Sequence, residues 1–316
     1  MRRMGNGFAY AVMALWPLLA IYWYKTQSIQ TATLWTIVGG FMFLPVRTEF
    51  DFPMLPAFGK DSIPVLSAMI GCIFIAKRRI KYFDNRGLMK ILVFLVFVVP
   101  FMTVMNNGDS ISVGTTYLPG LTYHDAFSMI VKQLLFITPF FIGKQFFRTY
   151  DDQVLMFKTL VTAGLMYSLF MLFEVRMSPQ LHVWLYGYFP HSFLQQYRLG
   201  GFRPVVFMGH GLLVAFFAAI ILLAATTLSK NGEKIRNVST AKISYYFIVV
   251  LVLCKSIAAL VYGIFAFLII KILNSKMQLR IALVIVVFAM LYPTMSMMKL
   301  FPHDSLINIA RSYDDN

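Results

Sequence analysis

Apolar residues fill this chain in long blocks with short polar breaks. The blocks cover residues 8–24, 31–45, 62–76, 88–105, 126–147, 153–175, 207–228, 242–254, 256–273 and 280–297. A helix crosses a hydrocarbon layer with about 20 apolar residues, fewer when tilted or broken. The pattern therefore predicts an all-α fold, a polytopic bundle of about ten transmembrane helices. It forms one domain over residues 1–316. No fixed-period repeat and no low-complexity stretch interrupts it. One block is divided by a charge: Lys255 sits inside "IVVLVLCKSIAALVYG". Two short spans turning at Lys255 and Ser256 keep the basic stretches 229–242 and 273–280 on the same side of a bilayer. One long helix would part them.

Composition agrees with this pattern. Of 316 residues, 59% are hydrophobic and 13% charged, too apolar for a soluble domain of this length, whose surface must be largely polar. The first block ends in bulky aromatics without a small-residue cleavage site, so it reads as a span and not a cleavable leader. Cys72 and Cys254 both lie in apolar blocks, which predicts neither a disulfide framework nor a metal site.

The net charge of +15 raises nucleic acid as a partner. The basic residues argue against it, because most occupy short loops between apolar blocks, where they hold a loop in the cytoplasm during insertion. "AKRRIKYFDNRGLMK" (76–90), with six basic residues, is the strongest such signal. Placing it inside puts the loops 106–125, 176–206 and 298–316 outside, and the tail "MRRMGNG" with them.

That topology makes "YRLGGFRPVVFMGHGLLVAFF" (197–217) stand out. Arg198 and Arg203 fall outside, where the insertion rule does not account for them. A guanidinium grips phosphate with a planar fork of donors. Gly200 and Gly201 permit close approach of backbone to a ligand, as do Gly209 and Gly211. His210 stands at the mouth of an apolar block, where its proton affinity can be tuned. Interfacial anchoring, with arginines reaching lipid headgroups, explains the same residues. Lys255 is either an intramembrane cation with a role or the tip of an outer turn. Lys132 lies nearer a block's end and reads as a snorkelling side chain. The segment 44–64 holds four prolines with Glu49, Asp51 and Asp61, and reads as a structured loop. Its aspartates bind a ligand or, more commonly, cap the next helix. In the loop 106–125, Asp125 reads as a helix cap beside His124. No H-x-x-x-H, C-x-x-C or P-loop spacing occurs.

The stretch around Arg198 resembles the R-x-x-G-x-F element of the O-antigen ligase and polymerase superfamily, in the branch associated with exopolysaccharide polymerisation. Phe202 here follows Gly201 directly. "GGFMFLPVRTEFDFPMLPAFGKDSIP" and "LCKSIAALVYG" are similar to that branch as well, so the resemblance runs from about residue 35 onward. It implies a GT-C-like integral-membrane glycosyltransferase of a bacterial inner membrane, working at the periplasmic face. The implied donor is an undecaprenyl-pyrophosphate-linked glycan and the acceptor a sugar hydroxyl on a glycan or lipid. The implied chemistry is inverting and uses no metal or other cofactor. Polysaccharide assembly proteins are implied partners. Arg198 matches the family's arginine and Gly201 its glycine. Lys255 stands where many relatives carry arginine, which keeps the charge and loses the fork. Arg198, Arg203 and Lys255 are thus the expected pyrophosphate ligands. His303 is the preferred base, with His210 second. The H-N element expected around the family's histidine is absent, and the chain reads as ending before it.

The physics of the reaction stands beside the resemblance. A departing pyrophosphate needs fixed cations where no metal serves, and the acceptor hydroxyl needs a base within reach. Two other readings keep the same residues: a flippase or exporter of lipid-linked oligosaccharide, and a non-catalytic component of a secretion complex. A transporter more often shows matched pseudo-symmetric halves, which this pattern lacks.

Overall fold

The computed structural model describes residues 5–52, 55–83, 87–198 and 200–301. It is mostly helical, and each of the ten apolar blocks forms a helix. These are α1 (Gly7–Thr26), α2 (Ile29–Phe43), α3 (Ile63–Ile70), α4 (Gly87–Met105), α5 (Tyr123–Phe146) and α6 (Tyr150–Met177). After the short α7 (Leu181–Tyr186) come α8 (Gly211–Lys230), α9 (Thr240–Leu253), α10 (Ile257–Ile272) and α11 (Ser275–Met297). α3 runs on into one π-helical turn, Gly71–Ile75. Among the described residues, α1, α5, α6, α8 and α11 are long and apolar enough to cross a membrane. The others are shorter, and the chain has the build of a multi-pass membrane protein.

Local chemistry sets where these helices begin. Asn6, Ser28 and Thr149 cap α1, α2 and α6 with their side-chain oxygens. Asp125 accepts from the Thr122 amide at 2.7 Å, the capping role expected of it. Asp61 does not take that role at α3, where the cap position belongs to Ser62.

The chain divides into two compact units, Met1–Ile264 and Phe265–Asn316. In the larger, α8 is the centre. Ala215, Ala218, Ala219, Ala224 and Ala225 of α8 are buried, and such small side chains let neighbouring backbones approach closely, as membrane helices do. α6 crosses it where Ile221 fills the space over Gly164. α9 ends at Leu253, Lys255 takes a left-handed φ of 50°, and α10 begins at Ile257. The chain reverses there. Gly263 lies against Leu251, and in one continuous helix those positions would stand about 18 Å apart. Tyr262 stacks on Phe216 at 6.2 Å and Gly263 meets Ala219 and Leu222, so the first turns of α10 lie beside α8. In the smaller unit, the Gln278 amide donates to the Leu273 carbonyl at 3.0 Å and closes the corner between the end of α10 and α11.

The loops hold more order than the hydropathy pattern foretold. β1 (Ile111–Val113) pairs with β2 (Thr116–Leu118) inside the loop 106–125. In 176–206, α7 is followed by a hairpin of β3 (Tyr197–Arg198) and β4 (Gly201–Phe202). β5 (Lys234–Ile235) and β6 (Val238–Ser239) form another between α8 and α9. Cys72 and Cys254 are both free and buried.

Candidate anion site built on a clamped strand

Between the β3–β4 hairpin and α8 the backbone is neither helix nor sheet, yet it is buried. Val205, Val206, Phe207 and Met208 expose at most 3% of their surface. Buried amides need partners, and α6 supplies them. The Glu174 carboxylate accepts from the amides of Val205 at 2.8 Å and Val206 at 2.7 Å, and from Leu181 at 3.0 Å. The Tyr167 hydroxyl accepts from the Phe207 amide at 3.0 Å. On the carbonyl side, the Lys60 ammonium donates to Phe207 at 2.6 Å and to Leu44 at 2.7 Å. Burial lowers the Lys60 pKa to about 7, which Asp61 nearby partly opposes. Val206 takes a φ of 47°, a conformation a β-branched residue holds only when its surroundings impose it. Glu174, Tyr167 and Lys60 are those surroundings.

This clamp presents the cations. Arg198 and Gly201 pair across the hairpin, and Gly200 makes its turn at a φ of 68°. A Cβ added at Gly201 would meet the Lys255 ammonium, so the side chain of the α9–α10 turn reaches onto the hairpin there and would have to shift for any larger residue. Arg203 follows β4, 4% exposed, and its amide donates to Gln196 at 2.8 Å. Among the described residues its Nε finds no partner, and neither does the Gln196 Oε1. Burial lowers the Arg203 pKa, and the Arg198 charge lowers it further. His210 is the N-cap of α8: its Nδ1 accepts from the Leu212 amide at 3.0 Å. A neutral imidazole accepting at Nδ1 carries its proton on Nε2. Burial lowers the His210 pKa, followed by His191, Arg203 and Arg198. The His191 ring stands edge-on to that of His210, centroids 4.6 Å apart, and its buried Nδ1 has no partner among the described residues.

The structure thus brings Arg198, Gly200, Gly201, Arg203, Lys255 and His210 together from a hairpin, a helix start and a distant helical turn. His303 lies outside the described residues. Sequence reasoning missed Glu174, Lys60, Tyr167 and His191. A signal existed for Glu174, a lone acid within the block 153–175. Chemically, the arrangement suits an anion. Two arginines and a lysine approach one hairpin, a buried guanidinium Nε has no partner among the described residues, and His210 offers an N–H. Among the described residues no three His, Cys, Asp or Glu side chains gather as a metal cluster would require.

Fold and site together define the class of molecule: a mostly helical protein with several helices able to span a membrane and a crowded group of cations held on buried irregular backbone. No protein-family model, no curated protein and no solved structure matches the chain.

Proposed function

We propose that this protein is a membrane glycosyltransferase of the O-antigen ligase or polysaccharide polymerase type, acting on a polyprenyl-pyrophosphate-linked glycan at the periplasmic face of a bacterial inner membrane. The observation that supports it most is the packing of the Lys255 turn on Gly201, in the hairpin that carries Arg198, with Arg203 behind. Neighbouring like charges disfavour one another, and a bound anion would offset that repulsion. A pyrophosphate at headgroup level has the matching charge and the oxygens that a guanidinium fork grips. In the reaction the acceptor hydroxyl oxygen bonds to the anomeric carbon, the bond from that carbon to the pyrophosphate oxygen breaks, and the hydroxyl proton passes to a base. Arg198, Arg203 and Lys255 stabilise the charge that develops on the leaving oxygen. His210, seated as it is, donates its Nε2 proton toward that oxygen. Base duty then falls to His303, or to His210 once its bond to the Leu212 amide opens.

The test is turnover in lipid nanodiscs with a polyprenyl-pyrophosphate-linked glycan. Free polyprenyl pyrophosphate should appear as glycan is transferred, and Arg198→Lys should lose at least about tenfold because lysine lacks the fork. Full turnover in both Arg198→Lys and Arg198→Ala would reduce the arginine to an interfacial anchor. Glycan that crosses a sealed vesicle with its pyrophosphate bond intact would instead identify an exporter.

A further inference from the structure

A second concavity lies on the opposite end of the same clamp. It has a volume of about 430 Å³, within the usual range for ligand pockets, and is lined by residues of the segment 44–64 and of α5. Arg47, Glu49, Asp61 and Lys132 reach it, with Gln133 and Phe136 beside them. Its chemistry contrasts with that of the anion site. Carboxylates and cations alternate, and among the described residues these four charged side chains make no hydrogen bond or ion pair with one another. Phe136 contributes an aromatic ring to its wall. A lining of mixed charge, in which two carboxylates stand among the cations Arg47, Lys60 and Lys132, offers acceptors as well as donors and suits a polyhydroxylated ligand better than a phosphate. An aromatic face suits the C–H side of a sugar ring, whose partial positive charge meets the negative π surface. The two sites share one segment. Lys60 lines the concavity and donates to the Phe207 carbonyl, and Val46 of its wall packs against Gly209, next to His210.

We propose that this cleft, between the segment 44–64 and α5, binds a sugar unit of a glycan. That it holds the acceptor end rests on the transferase reading. Sugar binding itself does not. The order of the chain supports the pairing: Arg203 and His210 belong to the anion site, while Phe207 and Gly209, between them, touch the lining of the cleft.

Photo-crosslinking in native membranes tests it whatever the sugar is. A photoreactive residue replaces Gln133 in the full-length protein, with a control at Leu169, which is 68% exposed on α6. Adducts are read by periodate oxidation and hydrazide labelling, before and after phospholipase. The Gln133 position should yield phospholipase-resistant, periodate-reactive adducts and Leu169 should not. The double variant Glu49→Gln with Asp61→Asn should cut their yield about tenfold, since both exposed carboxylates line the cleft. Lipid adducts alone, or none, overturn the proposal. Arg198→Ala separates the two claims. If it stops transfer and leaves the Gln133 adducts, both stand. If it leaves transfer untouched while the adducts persist, the cleft stands and the transferase site falls. Transfer that proceeds with no glycan adduct at Gln133 removes the cleft alone.

Discussion

Glu174 and Arg203 are both ionisable, both nearly or wholly withdrawn from solvent, and both attached to the same irregular segment. Their surroundings are opposite. Glu174 exposes none of its surface and its two oxygens accept three backbone amides. Arg203 exposes 4%, is pressed by the like charge of Arg198, and has an Nε without a partner among the described residues. A buried charge whose hydrogen-bonding capacity is saturated belongs to the fold, since removing it strands its partners. One whose capacity is left open costs the fold stability until water or a ligand fills it. The contrast separates architecture from the candidate site within a few residues.

The sharpest break of that contrast is Glu174→Ala. It leaves two buried amides and the half-buried Leu181 amide without an acceptor; at about 1–3 kcal/mol for each buried one, a loss of about 2–6 kcal/mol is expected. Thermal melting in detergent micelles reads it, and a midpoint within about 2 °C of the parent would mean Glu174 holds nothing. Arg203→Met should do the reverse. Its melting midpoint should stay or rise, while glycan transfer falls about 100-fold, the equivalent of about 2.7 kcal/mol. A variant that melts early and still turns over would exchange the two roles. Gly201→Ala is gentler: its Cβ displaces Lys255 and should weaken polyprenyl pyrophosphate binding about tenfold, read by native mass spectrometry, with melting unchanged. Unchanged affinity would detach Lys255 from the site.

The smallest effect belongs to Lys60 and concerns pH. Its folded pKa of about 7 lies below its usual value of 10.5, so the unfolded chain binds more protons and stability rises with pH in between. The cost of burying the charge is complete below pH 7 and disappears toward pH 10.5. From pH 6 to 8 the gain is about 1.4 kcal/mol, about 3 °C of melting midpoint, and Lys60→Met should lack it. The neutral amine still has two N–H groups for Leu44 and Phe207, so the clamp survives the titration. Parallel slopes in parent and variant would contradict this.

Hydropathy carried much of the fold. Each apolar block became a helix because blocks of that length satisfy their backbone only within themselves. The break at Lys255 was legible because a cation divides one block and the flanking loops are basic. The gathering of Arg198 with glycine was legible as composition. The clamp was not. Glu174 and Lys60 bind backbone atoms 31 and 147 positions away, and a backbone amide or carbonyl leaves no residue-type signature to match. The hairpins were missed because strands of two or three residues are too short to show alternation. Asp61 looked like a cap because it stands near a helix start, and only the geometry gives that place to Ser62.

The turn at Lys255 also sets an order of assembly during synthesis. Everything that clamps the strand, from Lys60 through Tyr167 and Glu174, lies upstream of it, so that part can close as soon as residue 208 has left the ribosome. The third cation arrives almost fifty residues later, after α8 and α9 have entered the bilayer. A nascent chain arrested after α8 and before that point would hold the clamp without the third cation of the candidate site. It would lack the third cation of the candidate site until Lys255 is translated, a built-in delay between closing the clamp and completing the cluster.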